Sequence, residues 1–453
     1  MAIFWANLLS LSILLVFMRS RWLRTRSVID PGILFAANLM VLYPIRGLTL
    51  YLCRDTVPPN YPELLLSSNL EHSSWLAALG CVGFVCGYAL VIGRRKLALL
   101  RAETRKTQSD DLLVCWSFFV ASLIGMAFKI ATGDYISYLT SHTRIVTLSQ
   151  IGTLLTDLQW PAFIGAWVLW FRGERKPGFV AFFVCIQCVV IPFQFIQGSK
   201  TFLSLLVVSI VLAYYWSRAR LPKFTALAAI VFVAFFVFPY VQTFREFINT
   251  KYGRIPTWSA LDFQGFKAYS DDDSDSPKEN LISVSSRYGG IDELYNITQV
   301  VPTLLPYRLG SEYSAFFVNL VPRALWPEKP VFSRGAAYGT ALNTITSVTP
   351  FPFGEAYWDL GLPGLLLSMT LWGMCLAGLA RGYERLYQNP HLSFFIGIYF
   401  LSQLYWITGG ESSMPVTISG IPQQTALLLS VYLVLRSLRP SQQRERLPLR
   451  GAA

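Results

Sequence analysis

Five basic residues stand apart from the other lysines and arginines of this 453-residue chain. They are Arg144, Lys200, Arg245, Arg287 and Arg323. Arginine binds phosphate through two parallel hydrogen bonds and lysine acts as a compact point charge, so such a set could bind a diphosphate. Each residue could instead reach from the edge of a bilayer to lipid headgroups. As a set, they favour a shared anionic substrate.

Carboxylates are few outside an acidic run at 271–275. Glu355 lies just before an apolar stretch, Glu411 lies in a short turn, and Asp292 and Glu312 lie in a long polar segment. A carboxylate at a boundary between water and lipid can act as a general base. It can equally be the salt-bridge partner of a nearby arginine. His142 could likewise be a base or an ordinary loop histidine.

The bulk composition shows what kind of structure must position these residues. Hydrophobic residues make up 53% of the chain and charged residues 14%, with a mean hydropathy of +0.44. A soluble protein carries about 25% charged residues, so most of this chain must be solvated by lipid. The net charge of +12 does not indicate nucleic-acid binding, because the basic residues form short clusters between apolar stretches.

The apolar stretches predict an all-α polytopic membrane protein with about 11 transmembrane helices, within a range of 10–12. Each stretch is long enough to cross a bilayer, and backbone amides in lipid must be satisfied within a helix. The predicted spans are 2–18, 31–51, 74–92, 112–131, 151–171, 178–196, 201–217, 224–243, 361–380, 392–408 and 417–435.

Most of the 38 lysines and arginines lie in alternate loops, which predicts that those loops are cytoplasmic. The expected location is therefore the bacterial inner membrane, with a periplasmic N-terminus and a cytoplasmic C-terminus. Residues 1–243 form an N-terminal bundle of about eight spans, and 244–360 form a large periplasmic loop with short helices. Residues 361–436 hold about three more spans, and 437–453 form a basic cytoplasmic tail.

Several kinds of chemistry are disfavoured by this topology. No predicted cytoplasmic loop is long enough to fold around a nucleotide, and a phosphate-binding loop of the form G-x-x-x-x-G-K-[ST] is absent from the sequence. Six of the seven cysteines fall within apolar stretches, so no disulfide framework is predicted. A substrate that is already activated and already across the membrane fits better, such as a sugar on a polyprenyl diphosphate.

Four short segments then carry a recognisable pattern. They are SRYGGID at 286–292, YRLGS at 307–311, VPRALWPEKP at 321–330 and FGEAYWDLG at 353–361. Together with a Gly-Ser-Lys turn that ends at Lys200, they resemble the oligosaccharide repeat unit polymerases, the O-antigen polymerase (Wzy-like) family. The resemblance covers about 140–435 and is weaker over the first 110 residues.

The resemblance implies a membrane glycosyltransferase with a fold like that of the lipid-phosphate-sugar-dependent (GT-C-like) enzymes. Such an enzyme transfers a growing glycan from undecaprenyl diphosphate to the non-reducing end of a lipid-linked repeat unit. Its expected partners are undecaprenyl-diphosphate-linked oligosaccharides, membrane lipid and a chain-length regulator. Diphosphate is a good leaving group, so no metal or cofactor is expected.

The hypothesis gives each candidate residue a role. Glu355 activates the acceptor hydroxyl, and Arg287 and Arg323 stabilise the leaving diphosphate. The remaining substrate-binding candidates are Arg144, Lys200, Arg245, His142, Trp326, Lys329 and Tyr357. Three alternatives stay open: an O-antigen ligase, a lipid-linked oligosaccharide flippase or other transporter, and a membrane scaffold. Lys129 and Asp157, both inside predicted spans, are the main residues of the kind that a transporter uses.

Overall fold

The computed structural model of the protein describes much of the helical bundle and part of the long loop. The described residues are 1–25, 27, 29–53, 62–93, 109–132, 152–197, 199–218, 220, 224, 228, 232, 237, 240–241, 243–244, 247, 289–321, 326, 328, 334–343, 348–387, 393–409 and 414–437. Within these ranges the secondary structure is helical and contains no strand.

We number the main helices in chain order. They are α1 (Ala2–Thr25), α2 (Pro31–Leu52), α3 (Ser67–Ile92), α4 (Ser109–Thr132), α5 (Gln159–Phe171), α6 (Pro177–Gln197), α7 (Lys200–Arg218), α8 (Gly290–Val300), α9 (Ser311–Leu320), α10 (Arg334–Ala341), α11 (Phe351–Tyr387), α12 (Ser393–Gly409) and α13 (Met414–Ser437).

Seven helices in the described ranges are long and apolar enough to cross a membrane: α1, α2, α3, α4, α6, α7 and α11. Each coincides with a predicted span, so the prediction of a helical multi-pass membrane protein is confirmed. Three further predicted spans correspond to α5, α12 and α13. The predicted span at 224–243 lies largely outside the described residues, and the total of 11 stays a prediction.

Helices α3 and α11 pack closely against each other. A Cβ atom on Gly87 would lie 1.9 Å from the Thr370 carbonyl oxygen, and one on Gly373 would lie 2.3 Å from the Phe84 oxygen. Only glycine allows the two backbones to approach so closely. Small residues serve this purpose in membrane helix pairs, where packing replaces the hydrophobic effect.

Helix ends that precede predicted cytoplasmic loops lie close together. Arg24 at the end of α1 donates from Nη1 to the Gly93 carbonyl at 3.0 Å, and Arg381 donates to the Val91 carbonyl at 2.9 Å. The ends of α1, α3 and α11 therefore meet at one end of the bundle. The long-loop helices α8 and α9 contact α2, α3, α11 and α13.

Helix α2 is irregular at its centre. Residues Val41–Ile45 form a π-helical turn that contains Pro44. Proline has no N–H to donate and disrupts a regular α-helix, and a π turn is one way in which a helix accommodates such a disruption. The helix continues from Arg46 onward, with the Arg46 side chain buried.

Candidate functional site

A buried ion pair joins the long loop to the bundle. Arg46 of α2 donates from Nε and Nη2 to Asp292 Oδ1 and Oδ2 of α8, at 3.2 and 2.9 Å. Both side chains are almost fully buried, at 2% and 0% exposure. For Asp292, the salt-bridge interpretation of the sequence is therefore confirmed. The pair fixes α8 against the irregular part of α2.

A second buried network links α8 to α10. The Tyr338 hydroxyl donates to Glu293 Oε2 at 2.7 Å, and Asn296 Nδ2 donates to the Tyr338 hydroxyl at 2.9 Å. Buried polar groups of this kind hold their elements rigidly because each would cost free energy without its partner. Helix α8 is thus anchored on two sides, and it is this helix that packs on the start of α11.

Helix α11 consists of two arms separated by a break. Leu360 and Gly361 have non-helical backbone angles, and the φ angle of Gly361 is +67°. We call residues 351–359 the short arm and residues 362–387 the long arm. A Cβ atom on Gly361 would lie 3.1 Å from the Tyr307 hydroxyl, so both the angle and the tight contact favour glycine here.

The short arm is fixed by aromatic contacts at its first turn. The Tyr43 and Phe353 rings stack with their centroids 4.0 Å apart, and the Phe353 N–H donates to the Tyr43 hydroxyl at 3.0 Å. This bond satisfies one of the free N–H groups at the helix start. Gly354 lies beside α8, where a Cβ atom would be 3.7 Å from Ile297. The next residue is Glu355.

Arg308 lies beside the short arm. Its guanidinium carbon is 3.8 Å from the centre of the Trp358 ring, a stacked cation–π contact. Burial lowers the pKa of Arg308, and the nearby carboxylates of Glu355 and Asp359 oppose that change. Arginine nevertheless stays charged in proteins. One cation and two carboxylates therefore share this corner of the molecule.

Asp359 holds the loop that carries Arg308. Its Oδ1 accepts a hydrogen bond from the Gly310 N–H at 2.9 Å, and its backbone oxygen accepts one from the Leu309 N–H at 2.9 Å. The position of Arg308 is thus set by the same short arm that carries Glu355.

A cavity of about 300 Å³ opens between α9, α11 and α13. Glu355 and Asp359 contribute to its lining, together with Tyr313 and Ser368, whose hydroxyls are hydrogen-bonded at 2.5 Å. The rest of the lining is mainly apolar: Phe316, Phe317, Leu371, Trp372, Cys375, Pro415 and Ile418, with Ala356. Burial raises the pKa of Tyr313, with the Ser368 hydrogen bond opposing the shift. An apolar cavity with a few convergent polar groups is a typical small-molecule site.

A comparison with models of protein families shows which family the chain belongs to. A family model described as a domain of unknown function (DUF8712) matches residues 75–409. The chain belongs to the DUF8712 family. No curated protein and no solved structure matches it. The DUF8712 region contains Arg308, Glu355 and Asp359, whereas Arg46 precedes it.

The structure places only some of the predicted site residues of this DUF8712 protein. Glu355 lines the cavity, and Tyr357, on the same arm, hydrogen-bonds Tyr307. Trp326 is 39% exposed and does not line the cavity. Lys200 begins α7, but its side chain is outside the description. Outside the described residues lie His142, Arg144, Arg245, Arg287, Arg323 and Lys329.

The predicted cluster of diphosphate-binding cations is consequently still a prediction. Among the described residues, no group of three or more His, Cys, Asp or Glu side chains is arranged to hold a metal ion.

Sequence analysis missed three residues of the site: Arg308, Asp359 and Tyr313. Arg308 and Asp359 both lie inside the segments that carry the polymerase resemblance, at 307–311 and 353–361. Both residues could therefore have been chosen as site candidates from their positions in those segments. No feature of the sequence indicated Tyr313, because only the packing of α9 on α11 brings its hydroxyl to Ser368.

Proposed function

We propose that this protein is a membrane glycosyltransferase that polymerises undecaprenyl-diphosphate-linked oligosaccharide repeat units at the periplasmic face of the inner membrane. One observation carries the proposal: Glu355 lines an apolar cavity beside membrane-spanning helices, within a charged cluster fixed by the short arm of α11. A lipid-linked sugar has an apolar and a polar part, and this site offers surfaces to both. The four sequence segments that resemble the polymerases support the same conclusion.

The reaction follows from the residue types. An acceptor sugar hydroxyl attacks the anomeric carbon of the donor glycan, and its proton passes to the Glu355 carboxylate. The bond between that carbon and the diphosphate oxygen breaks, and its electron pair leaves with undecaprenyl diphosphate. A positioned general base contributes about 10²–10⁴-fold to such a step.

Arg308 serves as a positioning residue in this scheme. It lies near the carboxylates of Glu355 and Asp359 and stacks on Trp358. Of these three charged side chains, two are carboxylates and one is a cation, which disfavours a diphosphate directly beside them. We therefore keep Arg287, Arg323, Arg144 and Lys200 as the candidate cations for the diphosphate.

The experiment uses purified protein in liposomes with lipid-linked repeat units. Wild-type protein should produce a ladder of longer glycans, and Glu355→Gln should lower the rate by about 10²–10⁴-fold. Glu63→Gln is the matched control, since Glu63 is an exposed glutamate outside the cavity and outside the four segments that carry the resemblance. An unchanged rate in Glu355→Gln would remove Glu355 from the chemistry, and no ladder from wild-type protein would refute the polymerase itself. Transfer of finished glycan to a lipid A core acceptor would instead identify a ligase.

One observation favours a second candidate, a lipid-linked oligosaccharide transporter. Asp157 lies at a turn just before α5, and Gln424 Nε2 of α13 donates to its Oδ2 at 3.3 Å. Lys129, near the end of α4, is also buried. Broken helices with ionisable residues are typical of transporter sites. Passage of lipid-linked oligosaccharide across liposomes without polymer formation, lost in Asp157→Asn, would establish this function.

A further inference from the structure

The cavity below Glu355 is bounded by membrane helices and by one helix of the long loop. The long arm of α11 contributes Leu371 and Trp372, and α13 contributes Ile418. Helix α9 closes the third side with Phe316 and Phe317. Trp372 is only 5% exposed. The walls therefore suit an apolar ligand more than water.

Helix α9 lies beside the membrane spans rather than above them. Its Tyr313 bonds Ser368, seven residues past the Gly361 break, which corresponds to about 10 Å along the long arm. Gln423 of α13 donates to the carbonyl oxygens of Asn319 and Leu320, the last residues of α9. Backbone carbonyls within a bilayer need such partners. These contacts are those of a re-entrant helix.

The outward face of this region is also apolar. Phe317 is 68% exposed and Leu309 is 75% exposed, although both belong to the long polar loop. Large exposed apolar side chains beside membrane-spanning helices are solvated by lipid tails. A hydrocarbon chain in the outer leaflet would thus meet α9 and the cavity behind it without crossing water.

We infer that the cavity between α9, α11 and α13 binds the isoprenoid chain of the glycan donor, at the isoprene units next to its diphosphate. The inference rests on the proposed function. In that reaction the broken bond joins the donor sugar to its diphosphate, so the donor lipid must lie close to Glu355. The acceptor reacts at its non-reducing end, several sugars away from its own lipid. Of the two substrates, only the donor brings its chain to this cavity.

Ligand binding in the cavity can be measured without catalytic turnover, because Cys375 lines the cavity and a bound ligand would shield its thiol. The probe is farnesyl diphosphate, and the readout is the alkylation rate of Cys375 by an apolar maleimide, resolved by peptide mass spectrometry. Cys86 of α3 is exposed outside the cavity and is the reference thiol. At about ten times the Kd of the probe, Cys375 should react about tenfold more slowly and Cys86 unchanged.

Two further ligands make this result decisive. Inorganic diphosphate should not protect Cys375. Isopentenyl diphosphate should bind more weakly than farnesyl diphosphate, by more than about tenfold for each isoprene unit lost, because each buried methylene adds about fourfold to affinity. Equal protection by inorganic diphosphate or by phosphatidylglycerol vesicles would overturn the inference. So would unprotected Cys375 under saturating farnesyl diphosphate.

A cavity-filling variant links the subsite to catalysis. Leu371→Trp should lower kcat/KM for an undecaprenyl donor while leaving the KM of the acceptor unchanged, and should reduce the advantage of long-chain over short-chain donors. Gly378→Trp is the matched control, because a Cβ atom on Gly378 meets nothing within 4 Å. An intact chain-length preference in Leu371→Trp would overturn the inference even if polymer is made. Protection of Cys375 without any polymer would instead refute the polymerase and retain the lipid subsite.

Discussion

Breaking the buried Arg46–Asp292 pair should destabilise the protein from either side. Asp292→Asn leaves the Arg46 guanidinium, at 2% exposure, without the carboxylate that accepts its hydrogen bonds from Nε and Nη2. Arg46→Met removes those two hydrogen bonds from the fully buried Asp292 carboxylate. Each single variant therefore leaves one charge of the pair, while the double variant removes both.

The magnitudes follow from burial and from the two hydrogen bonds of 3.2 and 2.9 Å. Removing one partner of a buried pair costs about 3–5 kcal/mol, and we expect a cost in this range for Asp292→Asn and for Arg46→Met. The double variant should lie close to wild type.

The assay is unfolding in lipid–detergent mixtures by increasing SDS, followed by tryptophan fluorescence at neutral pH. Glu174→Ala provides the control, because Glu174 and Lys176 form a 3.9 Å ion pair in which Lys176 is largely exposed. Such a pair contributes about 0–1 kcal/mol. If either single variant is as stable as wild type, or if the double variant is as unstable as Asp292→Asn, then the pair does not anchor α8.

Two further predictions concern the site. Arg308→Lys keeps the charge but loses the planar stacking at 3.8 Å on Trp358, so we expect a lower kcat in the liposome assay, with Arg308→Ala lower still. Gly361→Ala should destabilise the protein by more than Gly173→Ala in SDS unfolding. Both positions have positive φ, which costs about 1–2 kcal/mol, but only Gly361 also contacts Tyr307.

The membrane helices were predictable because hydrocarbon imposes a minimum apolar length on every span. This requirement acts on contiguous sequence, and the seven apolar helices coincide with predicted spans for that reason. The π turn in α2 was not predicted, although Pro44 and Arg46 marked the place. The break at Gly361 was only partly visible, since the span was predicted to begin there but the short helical arm before it was not.

The site itself depends on contacts between distant residues. Arg46 and Asp292 are 246 positions apart, and the sequence alone left two roles open for Asp292, a general base and a salt-bridge partner. Burial decides between these alternatives, and burial is a property of the packed molecule. Glu355 was identifiable because a carboxylate just before a span is unusual in itself. Arg308 was overlooked because its significance comes from Trp358 and from two carboxylates that reach it only in the fold.

The charges around Glu355 indicate that the sugars and the diphosphate of the substrate are bound by different residues. Arg308 faces two carboxylates, so the described part of the site carries net negative charge and offers acceptors to sugar hydroxyls. A diphosphate would be repelled from the same place unless further cations lie next to it. The proposed reaction therefore requires the separate basic residues of the sequence, Arg287 and Arg323 above all, to approach the cavity from the remainder of the long loop. A polymerase in which none of the four candidate cations, Arg144, Lys200, Arg287 and Arg323, contributes to donor binding would be inconsistent with this charge balance, because no candidate would then be left to stabilise the leaving diphosphate beside Glu355.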